Sequence, residues 1–161
     1  MFKKLGLGIF AVCSMFLATS TWAQMPNAYG PNISVESARK VAIAAIAEAQ
    51  KNGWTMAAAV TDTGGNLVYY EKMDNTQIGS ANVAIGKSRA SALFKRPTKA
   101  LQDALAAGGE GWRILTLEGA VAIEGGLPLL VDGKIIGAIG LSGGTSAQDG
   151  LAAKAGVEAL K

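Results

Sequence analysis

The chain has 161 residues, a formal charge of +3 at neutral pH, no histidine, and a single cysteine, Cys13. Without histidine it cannot form a Ser-His-Asp triad or use histidine for acid–base catalysis, and a zinc site would lack its usual ligands. The basic residues are scattered apart from a cluster at Lys95–Lys99, so the charge does not indicate a nucleic-acid partner.

The N-terminal segment is typical of a secretory signal peptide. Lys3 and Lys4 precede an apolar run of 14 residues, Leu5–Ala18, and small residues follow it near position 23. The run is shorter than the roughly 20 residues that a membrane-spanning helix needs, although a retained N-terminal anchor is an alternative. We therefore expect a signal peptide at residues 1–23, no membrane span in the mature chain, and a periplasmic or secreted protein.

The mature chain is long enough for one domain with its own core. Residues 24–32 contain two prolines and predict an irregular arm, and residues 33–161 form the predicted domain. Ser34 is a suitable N-cap for a first helix, in which apolar residues recur at helical spacing until Gly53 ends it.

A hairpin is predicted next. The extended runs Thr55–Thr61 and Leu67–Lys72 flank the turn Asp62–Asn66, which contains two glycines. In the second run, Tyr69 and Tyr70 are adjacent and should point to opposite faces of the strand.

Two further helices are predicted between the hairpins. Small and apolar residues recur at helical spacing over 78–94, and Pro97 ends this helix. Thr98 can cap a short third helix that extends to about Ala107. Residues 108–112 predict a flexible loop, and residues 115–123 are ambiguous.

The C-terminal part predicts a second hairpin and a last helix. Asp132-Gly133 lies between the apolar runs 127–131 and 134–141, and this dipeptide favours a tight hairpin turn. Ser146 and Asp149 resemble a capping box that starts a helix ending near Leu160. The predicted order is α-β-β-α-α-β-β-α, an α+β fold with an antiparallel sheet from two hairpins packed with helices.

The glycines of the second hairpin raise a specific question. A phosphate-binding loop needs the GxxxxGK[ST] pattern between a strand and a helix, and the segment 131–144 lacks it. Glycine inside a strand often marks the close approach of a ligand or of another backbone. The glycine face is therefore predicted to contact either a ligand, or a neighbouring helix or subunit.

Three segments together resemble the GlcG/HbpS family of haem-binding proteins, which also occurs as the C-terminal domain of PduO-type proteins. They are GWTMAAAVTDTGGNLVYYEKMD, SANVAIGKSRASALFKRPT and EGGLPLLVDGKIIGAIGLSGGTSAQD, in this order and at matching spacing. The resemblance covers about residues 33–160. It implies an α+β sandwich-like domain, assembly into homo-oligomers that are often octamers, and binding of haem or a related tetrapyrrole.

The resemblance also implies possible roles for the protein. Some secreted members are associated with redox sensing beside a membrane sensor kinase, and haem degradation has been proposed for the family. One departure concerns the iron: histidine is a common haem ligand, and this chain has none. The remaining options for an iron ligand are methionine (Met56 or Met73), tyrosine (Tyr69 or Tyr70), a hydroxyl or a lysine, and methionine and tyrosine are known to ligate haem iron. We take Met73 and Tyr69 as the candidate iron ligands; the alternative is that haem binds weakly or not at all.

A ligand pocket is predicted between the hairpin glycines, the connection from Met73 to Ser80, and the helix that carries Lys87. Lys87 could pair with a ligand carboxylate such as a haem propionate, or it could be a solvated lysine. Met73 and Asp74 could face the ligand, or they could be a core methionine and a turn aspartate. The predicted ligand-binding residues are Met73, Asp74, Ser80, Lys87, Phe94, Thr98, Gly126 and Gly140.

The first hypothesis is therefore a secreted binding protein for haem or another flat apolar ligand, with apolar walls that supply most of the affinity. The second is an enzyme of small-molecule catabolism that uses Lys87, Asp74 or a tyrosine as its catalytic group. The third is an oligomeric accessory protein without a ligand, in which a subunit contact fills the glycine face.

Overall fold

Four antiparallel strands form the centre of the protein. The structure is a computed structural model that describes residues 27–160, so the predicted signal peptide at 1–23 lies outside the described residues. The strands follow the order β2-β1-β4-β3 in the sheet, which puts β2 and β3 at the two edges. Their bounds are β1 Ala57–Thr61, β2 Leu67–Lys72, β3 Gly126–Val131 and β4 Lys134–Ser142.

Within residues 27–160, four α-helices cover the sheet on both sides. Their bounds are α1 Val35–Lys51, α2 Ser80–Leu93, α3 Thr98–Ala106 and α4 Ser146–Glu158. The order of α-helices and strands agrees with the predicted α+β fold. A 3-10 helix, Gly109–Thr116, occupies the segment that was predicted as a flexible loop, so that prediction is wrong.

The two faces of the sheet carry side chains of different size. Val60, Ile139 and Leu141 face α1 and α4 and belong to the main hydrophobic core. On the other face, α2 packs on β1 through Ala57, Ala59 and Ala84, which form a separate small cluster. Because strand side chains alternate between the two faces, the small residues of β1 and β4 lie together on one face, and α2 can approach that face closely.

Two predicted helix starts differ from those observed. The capping box of α4 is formed by Thr145 and Gln148, not by Ser146 and Asp149: the Thr145 hydroxyl accepts a hydrogen bond from the Gln148 backbone, and the Gln148 side chain accepts one from the Thr145 backbone. Thr98 is the first residue of α3 and does not cap it, because its hydroxyl is used elsewhere. Ser34 does cap α1, as predicted.

The described part of the arm is fixed on the sheet. β4 extends beyond the end of β1, and Tyr29 pairs with Ile135 there as an isolated parallel bridge. The Gly30 amide donates to the Ile135 carbonyl at 2.8 Å, and the Tyr29 hydroxyl donates to the Ala92 carbonyl at 2.9 Å. Within residues 27–160, none of the helices has both the length and the apolar character needed to cross a membrane.

Candidate functional site

The glycine face of β4 is filled by helix α2. A Cβ atom on Gly140 would overlap the Ala84 carbonyl oxygen and the Ser88 backbone nitrogen, so only glycine fits under the helix. This face was predicted to contact a ligand, a neighbouring helix or a subunit. Within residues 27–160, it contacts the neighbouring helix α2. The predicted pocket between Gly140 and the Lys87 helix is wrong, because backbone atoms of α2 occupy that space.

Buried hydroxyl groups join α2 to the sheet. Ser88 donates to the Ala138 carbonyl at 2.8 Å, and the Thr61 hydroxyl lies 2.8 Å from that of Ser88. Ser142 donates to the hydroxyl of Ser80 at 3.2 Å, and Ser80 is fully buried. The predicted site residue Ser80 thus belongs to the packing between α2 and the sheet.

Lys87 is buried and paired with an aspartate. Its ammonium lies 2.6 Å from Oδ2 of Asp149 and donates to the Leu141 carbonyl at 3.0 Å, and its side chain is 1% exposed. The other carboxylate oxygen of Asp149 accepts from the Gly144 amide at 3.0 Å. The prediction of a solvated lysine is wrong, and the observed partner of the ammonium is a residue of the chain, 62 positions away.

The burial of this ion pair has an electrostatic consequence. Burial raises the pKa of the Asp149 carboxyl above its ordinary value, while Lys87 and the Gly144 amide act in the opposite direction. The ionised form of Asp149 is therefore stabilised by its lysine partner against the effect of burial. Together the two side chains hold α2, the end of β4 and the start of α4 in one arrangement.

The two candidate iron ligands lie on the opposite side of the sheet. Tyr69 and Met73 pack against the main core between the sheet and α1, whereas Tyr70 packs on the α2 side with Ala57 and Ala59. The expectation that the two tyrosines point to opposite faces is confirmed. The Met73 sulfur accepts a hydrogen bond from the Met56 amide at 3.3 Å, and the Tyr69 hydroxyl donates to Glu71 at 3.1 Å.

The predicted site residues therefore do not form one site. The sheet separates Tyr69 and Met73 from Ser80 and Lys87. Asp74 is exposed in the turn that follows β2. Sequence spacing cannot reveal this separation, because it does not say which face of the sheet a connection passes over.

Thr98 and Gly126 meet at the start of β3. The buried Thr98 hydroxyl accepts a hydrogen bond from the Gly126 amide at 2.9 Å. A Cβ on Gly126 would overlap the Lys87 carbonyl oxygen. Gly125 has a φ of +126°, and a Cβ there would lie 2.9 Å from the Lys87 ammonium nitrogen. Gly125 is thus required by close packing over the Lys87–Asp149 pair, and Gly126 by close packing against the backbone of α2 and the Thr98 side chain.

An open groove of about 550 Å³ lies beside these glycines, between the start of α3, the start of β3, and α4. We call it the β3 groove. Three charged residues line it: Lys99, Glu124 and Lys154. Uncharged residues form the rest of its walls, namely Pro97, Gly125, Gly126, Leu127, Ala147, Gly150 and Leu151.

The charged residues of the β3 groove have different partners. Lys99 makes an exposed ion pair with Asp103 at 2.8 Å, and the hydrogen bond from this pair raises the pKa of Lys99. Lys154 lies 4.0 Å from Glu158. The Glu124 amide donates to the Gln102 side chain at 2.8 Å, and its carboxylate lies against Gly150, where a Cβ would be 2.7 Å from Oε1.

Phe94 lies in a second groove, of about 490 Å³, formed by α3 and the 3-10 helix. Arg96 and Arg113 contribute the positive charge of that groove, and Arg96 donates to the Phe94 carbonyl at 2.9 Å. The structure thus brings Gly126 to the β3 groove, with Thr98 behind it, but not Phe94. Among residues 27–160, no cluster of three or more carboxylate, cysteine or histidine side chains could hold a metal ion.

These features define a class of protein: an α+β domain in which one helix lies directly on a glycine-bearing sheet face, with a ligand-sized groove at the edge strand. The family model described as haem degrading protein HbpS-like matches residues 33–158. The chain belongs to this HbpS-like family, which confirms the resemblance to the GlcG/HbpS proteins.

Similar proteins agree with this assignment. Protein GlcG of Escherichia coli strain K12 is 38% identical over 110 residues, which cover 68% of this chain and 81% of GlcG. A protein of Citrobacter freundii named "Uncharacterized 15.0 kDa protein in dhaT-dhaS intergenic region" is 31% identical over 128 residues, covering 78% of this chain and 90% of that protein.

Solved structures share the fold. The crystal structure of HbpS matches with a TM-score of 0.76 and 27% identity, over 82% of this chain and 92% of the HbpS chain. A crystal structure of a PduOC:heme complex matches with a TM-score of 0.72 and 25% identity, over 80% of this chain and 94% of that one. Klebsiella pneumoniae protein ORFY, at 24% identity and a TM-score of 0.78 over 86% of this chain and 97% of that chain, supports the fold alone.

Proposed function

We propose that this protein is a secreted binding protein for haem or a related tetrapyrrole and that the ligand occupies the β3 groove. The observation that carries the ligand class is the likeness, at 25% identity over 80% of the chain, to a domain crystallised as a haem complex. The family description also refers to haem. The groove supports the location, because its volume of about 550 Å³ lies within the usual range of small-ligand sites.

The residues of the β3 groove suit a flat ligand with an apolar body and acidic substituents. Leu127 and Leu151 would contact the macrocycle, and burial of apolar surface would supply most of the affinity. Lys99 and Lys154 stand at the groove and could each pair with a carboxylate. When bound, haem would supply an iron centre with redox chemistry, while the chain would bind and orient the macrocycle.

A haemin titration of the purified protein, read by absorbance, tests this proposal. We expect saturable binding with a shifted Soret band. Leu151→Asp should weaken binding about tenfold or more, because it removes apolar contact and brings a negative charge towards an acidic ligand. Leu67→Asp is the matched control, since Leu67 is also half-exposed but lies on β2, at the opposite edge of the sheet.

The outcomes separate ligand from location. An unchanged spectrum on haemin addition would remove haem as the ligand. If haemin binds saturably, and Leu151→Asp binds it as strongly as Leu67→Asp does, haem stands as the ligand but the β3 groove is refuted as its site.

The proposal includes an extracytoplasmic location and self-association. The signal-peptide pattern of residues 1–23 supports a periplasmic or secreted protein, and fractionation of cells that produce the full chain tests it. Several large apolar side chains are exposed near the 3-10 helix, including Trp112, Leu115 and Ile123, and a homo-oligomer, such as an octamer, would cover them. Light scattering on the purified protein measures its size. Redox or haem sensing with a partner sensor protein stays a prediction from the resemblance.

The enzyme hypothesis has less support. Lys87 is 1% exposed and its ammonium is paired with Asp149, so a substrate could reach it only after this pair had been broken. Asp74 is exposed in a turn and does not contribute to the lining of the β3 groove.

A further inference from the structure

We propose that Glu124 is the residue that ligates haem iron in this histidine-free chain, an inference that rests on the proposed haem-binding function. The usual nitrogen ligand is absent from the whole sequence, and the only cysteine is Cys13. The sulfur and phenol candidates, Met73 and Tyr69, lie across the sheet, in the core beside α1. Within residues 27–160 of one chain, an iron ligand for the β3 groove must therefore come from the residues that line the groove.

The lining of the β3 groove offers three side chains with donor atoms for a metal, namely Lys99, Glu124 and Lys154. A lysine must lose its proton before its nitrogen can bind a metal. The Lys99 ammonium is already paired with Asp103 at 2.8 Å, and the Lys154 ammonium lies 4.0 Å from Glu158. A carboxylate oxygen is a suitable ligand for ferric iron.

The position of Glu124 is set by its neighbours in the chain. Its own amide is bound to the Gln102 side chain at 2.8 Å, and two residues later the Gly126 amide is bound to Thr98 at 2.9 Å. Gly125, between them, is packed over the Lys87–Asp149 pair. The backbone that carries Glu124 is thus held firmly on both sides.

The side chain of Glu124 is placed in the groove and is available there. It lies beside Gly150 of α4, and any larger residue at position 150 would meet its carboxylate. Within the part of the chain from 27 to 160, no side-chain hydrogen bond or salt bridge engages this carboxylate, in contrast to those of Asp103 and Asp149. It does act on Lys99 through its charge: the hydrogen bond with Asp103 raises the pKa of Lys99 most, and the charge of Glu124 adds to that rise. The groove therefore has two potential positive partners for propionates and one negative oxygen donor for a metal.

The test compares haemin with metal-free protoporphyrin IX, which has the same propionates and ring but no iron. Both are titrated into the purified wild-type protein, Glu124→Gln, and the matched control Glu118→Gln, an exposed glutamate outside the groove. Glutamine keeps the size of the side chain and the backbone hydrogen bond to Gln102, so folding should be retained, and circular dichroism checks this.

We expect Glu124→Gln to weaken haemin binding at least about tenfold and to shift the Soret and visible bands of the ferric complex. Binding of protoporphyrin IX should change less than about threefold, and Glu118→Gln should change neither ligand. If Glu124→Gln retains wild-type haemin affinity and an unchanged ferric spectrum, the inference is refuted while haem binding stands. If it weakens both porphyrins equally, Glu124 contacts the ring and not the iron. If neither porphyrin binds the wild-type protein, the proposed function fails as well.

Discussion

Lys87→Met should be among the most damaging single substitutions in this protein. Methionine fills the space of the lysine stem but leaves the Asp149 carboxylate buried, 3% exposed, without the ammonium that lies 2.6 Å away in the wild type. Breaking a buried ion pair by removing one partner costs about 3–5 kcal/mol. Since domains of this size are stable by only about 5–15 kcal/mol, the loss is expected to remove from about a fifth to nearly all of the free energy of unfolding.

The loss of stability should also depend on pH. Burial already raises the pKa of Asp149, and without Lys87 the pKa of the folded variant must rise further. A group whose pKa is higher in the folded state stabilises the fold below its unfolded pKa, about 3.9, and this contribution is lost as pH rises towards the folded pKa. The free energy of unfolding of Lys87→Met should therefore fall relative to wild type between pH 4 and 7, by at most about 1.4 kcal/mol for each pH unit.

Urea unfolding followed by circular dichroism at pH 4, 5.5 and 7 measures both effects. The control is Lys99→Met, which removes a lysine from a pair that is 51% and 59% exposed and should cost less than about 1 kcal/mol. The double variant Lys87→Met/Asp149→Leu should recover stability relative to Lys87→Met at neutral pH, because no unpaired charge stays buried. A loss below about 1 kcal/mol at pH 7, or one that does not grow with pH, would refute this account of the pair.

Three further substitutions test the packing around the groove, each by urea unfolding. Gly140→Ala should cost about 1–3 kcal/mol because its Cβ overlaps α2, whereas Gly79→Ala, in open space, should cost less than about 0.5 kcal/mol; similar losses would contradict the close packing. Thr98→Val should cost about 1–3 kcal/mol because the buried Gly126 amide loses its acceptor, whereas Thr98→Ser should retain most of the wild-type stability. Equal losses in the two variants would show that this hydrogen bond contributes little. Thr145→Ala should cost about 1 kcal/mol through loss of the α4 cap; an unchanged midpoint would argue against the capping box.

Local patterns in the sequence determined the order of α-helices and strands. Gly-Gly and Asp-Gly turns between apolar runs predicted the two hairpins, and helical spacing predicted the helices around them. These signals depend on neighbouring residues and on the geometry of one element, so tertiary contacts do not change what they predict. They failed where a polar side chain had a distant partner: Thr98 and Asp149 look like caps in sequence, but they bind Gly126 and Lys87.

The candidate site was decided by tertiary structure. Periodicity indicates that one face of an element is apolar or small, but not which other element covers it. In sequence, Gly140 of β4 was therefore compatible with a ligand, a helix or a subunit, and only the assembled domain shows α2 over this glycine. Likewise, Met73 and Ser80 are seven positions apart in the chain but lie on opposite sides of the sheet. The β3 groove, with Glu124 beside Gly150, arises where α3, β3 and α4 meet, and no local pattern encodes that meeting.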